Sequence, residues 1–179
     1  DHLESLFQGG AKLLLLCSPH NPGGRVWERE ELLRLGDLCL KHGVTVISDE
    51  IHCDLALSGH KHIPFASLSP ELADITLTGL AATKTFNLPG LQTSYIVASN
   101  PSMKRKFDHR IKTLSLHMAH HFAQDAVEAA YNEGEAWLDE MLAYVEGNLS
   151  YTLAYFKEHL PEAKPLRPDG TYLLWIDCR

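Results

Sequence analysis

The stretch Lys12-Leu13-Leu14-Leu15-Leu16-Cys17-Ser18-Pro19-His20-Asn21-Pro22-Gly23-Gly24 decides the fold. From Lys12 to Cys17 it is a short continuous apolar run bounded by Gly10 and Pro19, which suits a strand covered on both faces, as in a parallel sheet. The Pro- and Gly-rich turn that follows leads into a helical pattern from Glu28 to His42. Leu32, Leu35 and Cys39 lie on one side of that helix, and Gly43 is its C-terminal stop. Val44 to Ser48 is a second strand. The order strand–loop–helix–strand is the signature of a right-handed parallel crossover.

Working outward, Asp49 to Leu72 has little periodicity and reads as a long irregular segment with one short helix. Loops of that length inside a compact domain are usually functional. Ile75 to Leu80 and Ser94 to Ala98 are two further strands. The Ala81–Thr93 connection between them is too short for a crossover helix, so the second of the pair is expected to run antiparallel. After Pro101 the chain turns helical. Phe122, Ala126, Ala129 and Ala130, then Trp137, Leu138, Met141, Leu142 and Val145, form an apolar stripe at helical spacing. That stripe is most simply core or a subunit contact, with Gly134 and Gly147 as possible breaks and Pro161 as its end. Thr171 to Ile176 follows the Pro168-Asp169-Gly170 turn as a last strand.

The chain's 179 residues are about one domain's worth and sufficient for a real core. Hydrophobic residues make up 45% and charged residues 22%, which excludes disordered, collagen-like and coiled-coil chains. Sixteen Lys and Arg stand against 23 Asp and Glu, a formal charge of −7. That acidic balance argues against a general nucleic-acid binder, whose affinity rests on basic surface. No apolar run approaches the roughly 20 residues of a membrane-spanning helix, and no export signal opens the chain. Cys17, Cys39, Cys53 and Cys178 form no CxxC pair and read as reduced, mostly buried thiols. The expected setting is cytoplasmic, with no membrane or nucleic-acid partner. Because the sequence stops just after a strand-like run, it reads as a piece of a larger protein.

In open α/β sheets ligands bind beyond the carboxyl ends of the strands. Three polar clusters fall at such positions: Ser18–Gly24 after the first strand, Asp49–Asp54 after the second and Thr83–Asn87 after the third. Together they bring an amide, a carboxylate and a lysine to one rim. Ser18-Pro19-His20-Asn21-Pro22-Gly23-Gly24-Arg25, Ser48-Asp49-Glu50-Ile51-His52 and Thr83-Lys84-Thr85-Phe86-Asn87 with Gly90-Leu91 resemble the three ordered signatures of fold-type-I pyridoxal-phosphate enzymes. Within that superfamily the second and third are most similar to the cystathionine β-lyase-type carbon–sulfur lyases, and Pro168-Asp169-Gly170-Thr171-Tyr172-Leu173-Leu174-Trp175 resembles the start of the family's small domain.

The resemblance implies a three-layer, mostly parallel α/β fold with a long helix leading to a truncated α+β domain. Residues 1–120 would be part of the large cofactor-binding domain, 121–160 the long interdomain helix and 161–179 the start of the small C-terminal domain. It also implies pyridoxal 5′-phosphate as cofactor, an amino-acid substrate and a homodimer. Lys84 is then the amine that condenses with the cofactor aldehyde and later removes the substrate Cα proton. Asp49 pairs with the pyridine nitrogen and keeps it protonated, and Asn21 donates its amide to the ring 3′ oxygen. His52 stands where many aminotransferases of this fold have Tyr, either touching the cofactor or lining the pocket. Thr83, ahead of Thr85, is the hydroxyl donor to the phosphate.

Two positions depart from the broader pattern: Ala81 where a Ser is usual three residues before the lysine, and Gln92 where an Arg is usual eight after it. The rest of the phosphate cradle, the aromatic that stacks on the ring and the Arg that grips the substrate carboxylate are expected outside this stretch, so the piece alone is expected to be inactive. Two outcomes stay open: carbon–sulfur β-elimination of cysteine-type amino acids, and transamination with the same Lys84. A third reading, from another class, is a non-catalytic metal-binding domain using His117, His120 and His121, whose spacing suits one helix face. No Glu or Asp lies inside that run, and its plain reading is exposed or partner-facing histidines. His60 and His62, flanking Lys61, take the same reading, and the basic face of Lys104, Arg105, Lys106, Arg110 and Lys112 is expected in solvent.

Overall fold

The computed structural model describes residues 2–116, 118 and 120–179. A four-stranded sheet is built from β1 (Leu13–Cys17), β2 (Thr45–Asp49), β3 (Thr76–Leu80) and β4 (Tyr95–Ala98), in that spatial order. β1, β2 and β3 run parallel, and β4 pairs antiparallel with β3, as the short connection requires. The register places Cys17, Asp49 and Gly79 side by side, so the loops after the three parallel strands leave the sheet at one level.

The helix α2 (Arg29–His42) links β1 to β2. A capping box between Glu28 and Glu31 closes its first turn, and Gly43 ends it in the left-handed region at φ 61°. α3 (Pro70–Asp74) starts at Ser69, whose hydroxyl accepts from Leu72 N–H. The core lies between these helices and the sheet, around Leu16, Leu32, Cys39, Val46, Phe65 and Leu72. α2 passes so close to α3 that a Cβ on Gly36 would lie 2.6 Å from a Leu72 methyl. Leu72→Ala is therefore expected to open a cavity and to cost about 2–5 kcal/mol, read as a lower denaturation midpoint of the full-length protein. On the opposite face of β1, Leu13 and Leu15 stay 52% and 72% exposed.

Three features differ from the sequence expectations. A helix α1 (His2–Gln8) precedes β1, with Phe7 as its buried residue and Lys41 paired to Glu4 at 2.6 Å. With one buried side chain it has no amphipathic stripe to read. The stretch expected as a strand over Thr171–Ile176 is a strand only at Trp175–Asp177. Before that, Gly170 bridges Ala56, Thr171 N–H donates to Leu55 O at 2.7 Å, and Thr171 adopts φ 68°. These ties to another loop take the segment out of a ladder. Lys164–Leu166, with Pro165 in its middle, pairs with Trp175–Asp177 as a small second sheet.

α4 (Ala82–Thr85) carries Lys84. α5 (Pro101–Thr113) is capped by Asn100 and carries its basic side chains exposed, as expected. The apolar stripe forms two helices rather than one, α6 (Ala123–Glu133) and α7 (Glu135–His159), separated at Gly134 and continuous through Gly147. A Cβ on Gly134 would approach Ala130 O to 2.4 Å and the Phe86 ring to 2.5 Å, so the break lies where the chain presses on the segment after α4. No helix among the described residues is long and apolar enough to cross a membrane.

Candidate active site

The loop after β1 is tied to the end of β2, because Ser18 N–H donates to Asp49 O at 3.0 Å. It then folds on itself: Gly24 N–H donates to His20 O at 2.7 Å, and Asn21 N–H to Cys17 Sγ at 3.4 Å. The Asn21 side chain is exposed at this rim, and its amide has no protein partner among the described residues.

Asp49 is the last residue of β2, with an exposed side chain. Its Oδ1 accepts from Ile51 N–H at 3.3 Å, a local bond that holds the carboxylate at the strand end. His52, one turn further on, is 2% exposed, and neither ring nitrogen finds a hydrogen-bond partner among the described residues. Burial pushes His52 below the ordinary imidazole range, the Lys84 charge pushes it further the same way, and the Asp49 charge opposes both. The acid and the amine thus act on one buried ring from two different loops. Tyr172 meets the His52 ring edge-on, centroids 5.9 Å apart and planes at 79°.

β3 ends in α4, which holds Thr83 and Thr85 buried and Lys84 half-buried. The Thr85 hydroxyl is committed to Asp54 Oδ2 at 2.8 Å. The Thr83 hydroxyl has no such bond among the described residues, so of the two it is the one available to a ligand. Lys84 makes no ion pair among the described residues. It opens onto a cavity of about 320 Å³ whose other walls include Asn87, Trp137, Met141, Val145 and Tyr172. A cavity of about 650 Å³ lined by Glu50, Cys53, His62, Thr78 and Val97 does not include Lys84.

Asp49, His52 and Lys84 stand on neighbouring segments at one end of the sheet, linked through Tyr172, which meets His52 and lines the Lys84 cavity, with Asn21 and Thr83 at the same rim. Tyr172 and Trp137 are additions that the sequence did not reveal. Tyr172 arrives because the Pro168–Tyr172 turn is strapped to the segment after β2, where Thr171 N–H donates to Leu55 O, and to the loop after β1. Asp169 N–H donates to Gly24 O at 2.8 Å, and Val26 N–H donates to Asp169 Oδ2 at 3.3 Å. The turn is legible in Pro168-Asp169-Gly170, but nothing local says where it docks.

His62 is a correction. It is not a solvated histidine: its side chain is 7% exposed, with Nε2 2.7 Å from a Glu50 carboxylate oxygen. Glu50 is fully buried beneath the segment that carries His62, a pairing that no local pattern in the chain announces. His60 is more exposed, 43%, and faces Asp169 at 3.4 Å. In the cluster of three histidines, His117 lies outside the described residues, and His120 Nδ1 accepts from Phe122 N–H at 3.3 Å. No group of three or more candidate metal ligands occurs among the described residues.

The donor set suits the ring end of a pyridine aldehyde: an acid with a carboxylate oxygen to spare, an amine without an ion pair, and a buried imidazole with unsatisfied nitrogens. It suits the phosphate end less fully, since Ala81 is a buried apolar residue and Gln92 sits in a left-handed turn at φ 46°.

Taken together, the sheet and its rim define an α/β domain with Asp49 and Lys84 on adjacent segments beyond the carboxyl ends of its parallel strands. The chain belongs to the aminotransferase class I and II family, whose model matches residues 1–179. Cystathionine β-lyase PatB of Bacillus subtilis is 51% identical over 165 residues, 92% of this chain and 43% of its own length. The structure of cystalysin from Treponema denticola, which contains pyridoxal 5′-phosphate, matches with a TM-score of 0.92 at 38% identity, over 98% of this chain and 45% of cystalysin. The pyridoxal-phosphate-bound C–S lyase of Staphylococcus hominis gives 0.90 at 36% identity, over 98% of this chain and 44% of its own. The chain therefore spans less than half the length of these relatives.

Proposed function

We propose that this chain is part of a pyridoxal-phosphate-dependent carbon–sulfur β-lyase, which converts cysteine-type amino acids such as cystathionine to pyruvate, ammonia and a thiol. The observation that carries it is that Asp49 and Lys84 follow adjacent parallel strands at one sheet end, where Tyr172 both meets the buried His52 ring and lines the Lys84 cavity. The lyase names of the relatives choose the reaction among those this cofactor supports.

Bound pyridoxal phosphate supplies an electron sink for the charge that develops at the substrate Cα. Asp49 would hold a proton on the ring nitrogen through its carboxylate, and Asn21 would donate its side-chain amide to the ring 3′ oxygen. The Thr83 hydroxyl donates to the phosphate. Lys84 would be the amine that holds the cofactor aldehyde, and the same amine would serve as the base for the substrate Cα proton. His52 lies below its ordinary pKa and is neutral at neutral pH, so it lines the ring as an uncharged, orientable donor–acceptor.

The working form in this reading is a cytoplasmic homodimer. The four cysteines are unpaired, as in a reducing compartment. Leu114, Leu116, Met118 and Phe122, between α5 and α6, are 49–77% exposed, an apolar patch suited to a second copy of the chain.

Transamination is the second reading, supported by the family to which the chain belongs. In that case the Lys84 amine, having taken the Cα proton, would deliver it elsewhere instead of permitting elimination. The full-length protein is expected to release pyruvate from L-cystathionine with no keto-acid acceptor present. Turnover only when a keto acid is added would replace the lyase reading with transamination.

A further inference from the structure

We infer that Glu50 and His62 are a positioning pair for Asp49, holding the turn that presents Asp49 and His52 to the cofactor. The inference rests on the pyridoxal-phosphate reading above. Glu50 is 0% exposed although it carries a carboxylate. Such burial is unfavourable unless partners replace the lost water. Three do so: the Ser48 hydroxyl donates to Oε1 at 2.8 Å, Phe65 N–H donates to Oε1 at 3.0 Å, and His62 Nε2 lies 2.7 Å from Oε2. One side chain thus ties the end of β2 to two points of the segment that returns beneath it.

The Glu50 backbone is anchored too. Its N–H donates to Gly79 O at 2.9 Å, and its carbonyl accepts from Cys53 N–H at 2.9 Å. Successive residues along a strand point to opposite sides, and the burial follows that rule: Asp49 is exposed at the rim and Glu50 lies in the interior. An interior anchor on Glu50 fixes the peptide that carries Asp49. Through the Glu50–Cys53 turn it also fixes the ring of His52.

Replacing a buried ion pair by apolar residues is often neutral or stabilising, so burial alone does not call for this pair. Geometry does: misplacing a reacting group by about 1 Å can cost about 10²-fold in rate. The Glu50 and His62 side chains do not line the Lys84 cavity and hydrogen-bond to no side chain assigned to the cofactor, so the pair acts through the backbone that carries Asp49 and His52.

The test uses full-length protein stripped of cofactor, with Glu50→Gln, Glu50→Ala and His62→Gln, and with Leu72→Ala as a control of comparable instability in the core. Pyridoxal phosphate is titrated by fluorescence, the visible spectrum of the loaded protein is recorded, and the stripped protein is melted. The Glu50 and His62 variants are expected to bind the cofactor at least tenfold more weakly and to shift its absorbance, Glu50→Ala most and Glu50→Gln least. Leu72→Ala is expected to melt lower yet keep both properties within twofold. Glu50 and His62 variants that match Leu72→Ala in affinity and spectrum would overturn the positioning role. If Glu50→Ala does not fold, His62→Gln and Glu50→Gln decide the same question. Wild-type protein that fails to take up pyridoxal phosphate would instead overturn the cofactor reading itself.

Discussion

Replacing Lys84 with alanine is expected to lower pyruvate formation by about 10⁴-fold or more, because one side chain serves as both the covalent attachment point and the base. A positioned general base contributes about 10²–10⁴-fold on its own. The attachment role comes on top of that, since a condensing amine divides a difficult step into easier ones. The surroundings fit both duties: Lys84 is half-buried, makes no ion pair among the described residues and opens onto the aromatic-walled cavity beside Trp137 and Tyr172. Borohydride treatment is the sharper measurement. In the wild type it should fix the cofactor to the peptide containing Lys84, in Lys84→Ala to none, and in a Lys61→Ala control to the same peptide as in the wild type. Cofactor fixed at another lysine in the wild type would refute the assignment.

How much of this was legible beforehand follows from where each signal resides. β1 was readable as a short apolar run bounded by Gly10 and Pro19, although the structure covers only one of its faces. The polar clusters after Cys17, Asp49 and Leu80 mark where the three parallel strands end. The antiparallel direction of β4 followed from counting the residues before it. Lys164–Leu166 was not readable, since Pro165 speaks against a strand, whereas its partner Trp175–Asp177 was legible as the end of the run from Thr171 to Ile176. The site divides the same way. Asn21, Asp49 and Lys84 sit at strand ends and announce themselves, whereas Tyr172, Trp137 and the Glu50–His62 pair depend on loops meeting from far along the chain. His62 looked solvated because Lys61 and His60 beside it are polar. Its burial comes from a carboxylate 12 positions earlier that needs a partner. The exposure of Leu13 and Leu15 has a similar origin: an apolar sheet face is completed by a further layer, and relatives are more than twice as long as this chain.

Asp49→Asn carries the second large expected effect, and it isolates charge from shape. The asparagine keeps the volume, and its carbonyl oxygen can still accept from Ile51 N–H, so the strand end is expected to stay in place. What disappears is the negative charge that would hold a proton on the ring nitrogen. Without that proton the ring withdraws electrons poorly from the substrate Cα. The loss resembles removal of a preorganised electrostatic group, about 10²–10³-fold in kcat, or roughly 3–4 kcal/mol of barrier. Cofactor fixed to Lys84 by borohydride should persist, because the amine is untouched. A second consequence has a definite sign. Asp49 supplies the charge that raises His52, against burial and Lys84, which lower it. Removing that charge should move the His52 titration to still lower pH, measurable by NMR of the ring protons in stripped protein. Asp49→Glu, which keeps the charge on a longer arm, should recover part of the turnover and leave His52 closer to its wild-type position. If Asp49→Asn turns over within threefold of wild type, the acid does not serve the ring. An unmoved His52 would mean that the carboxylate and the imidazole do not share the site.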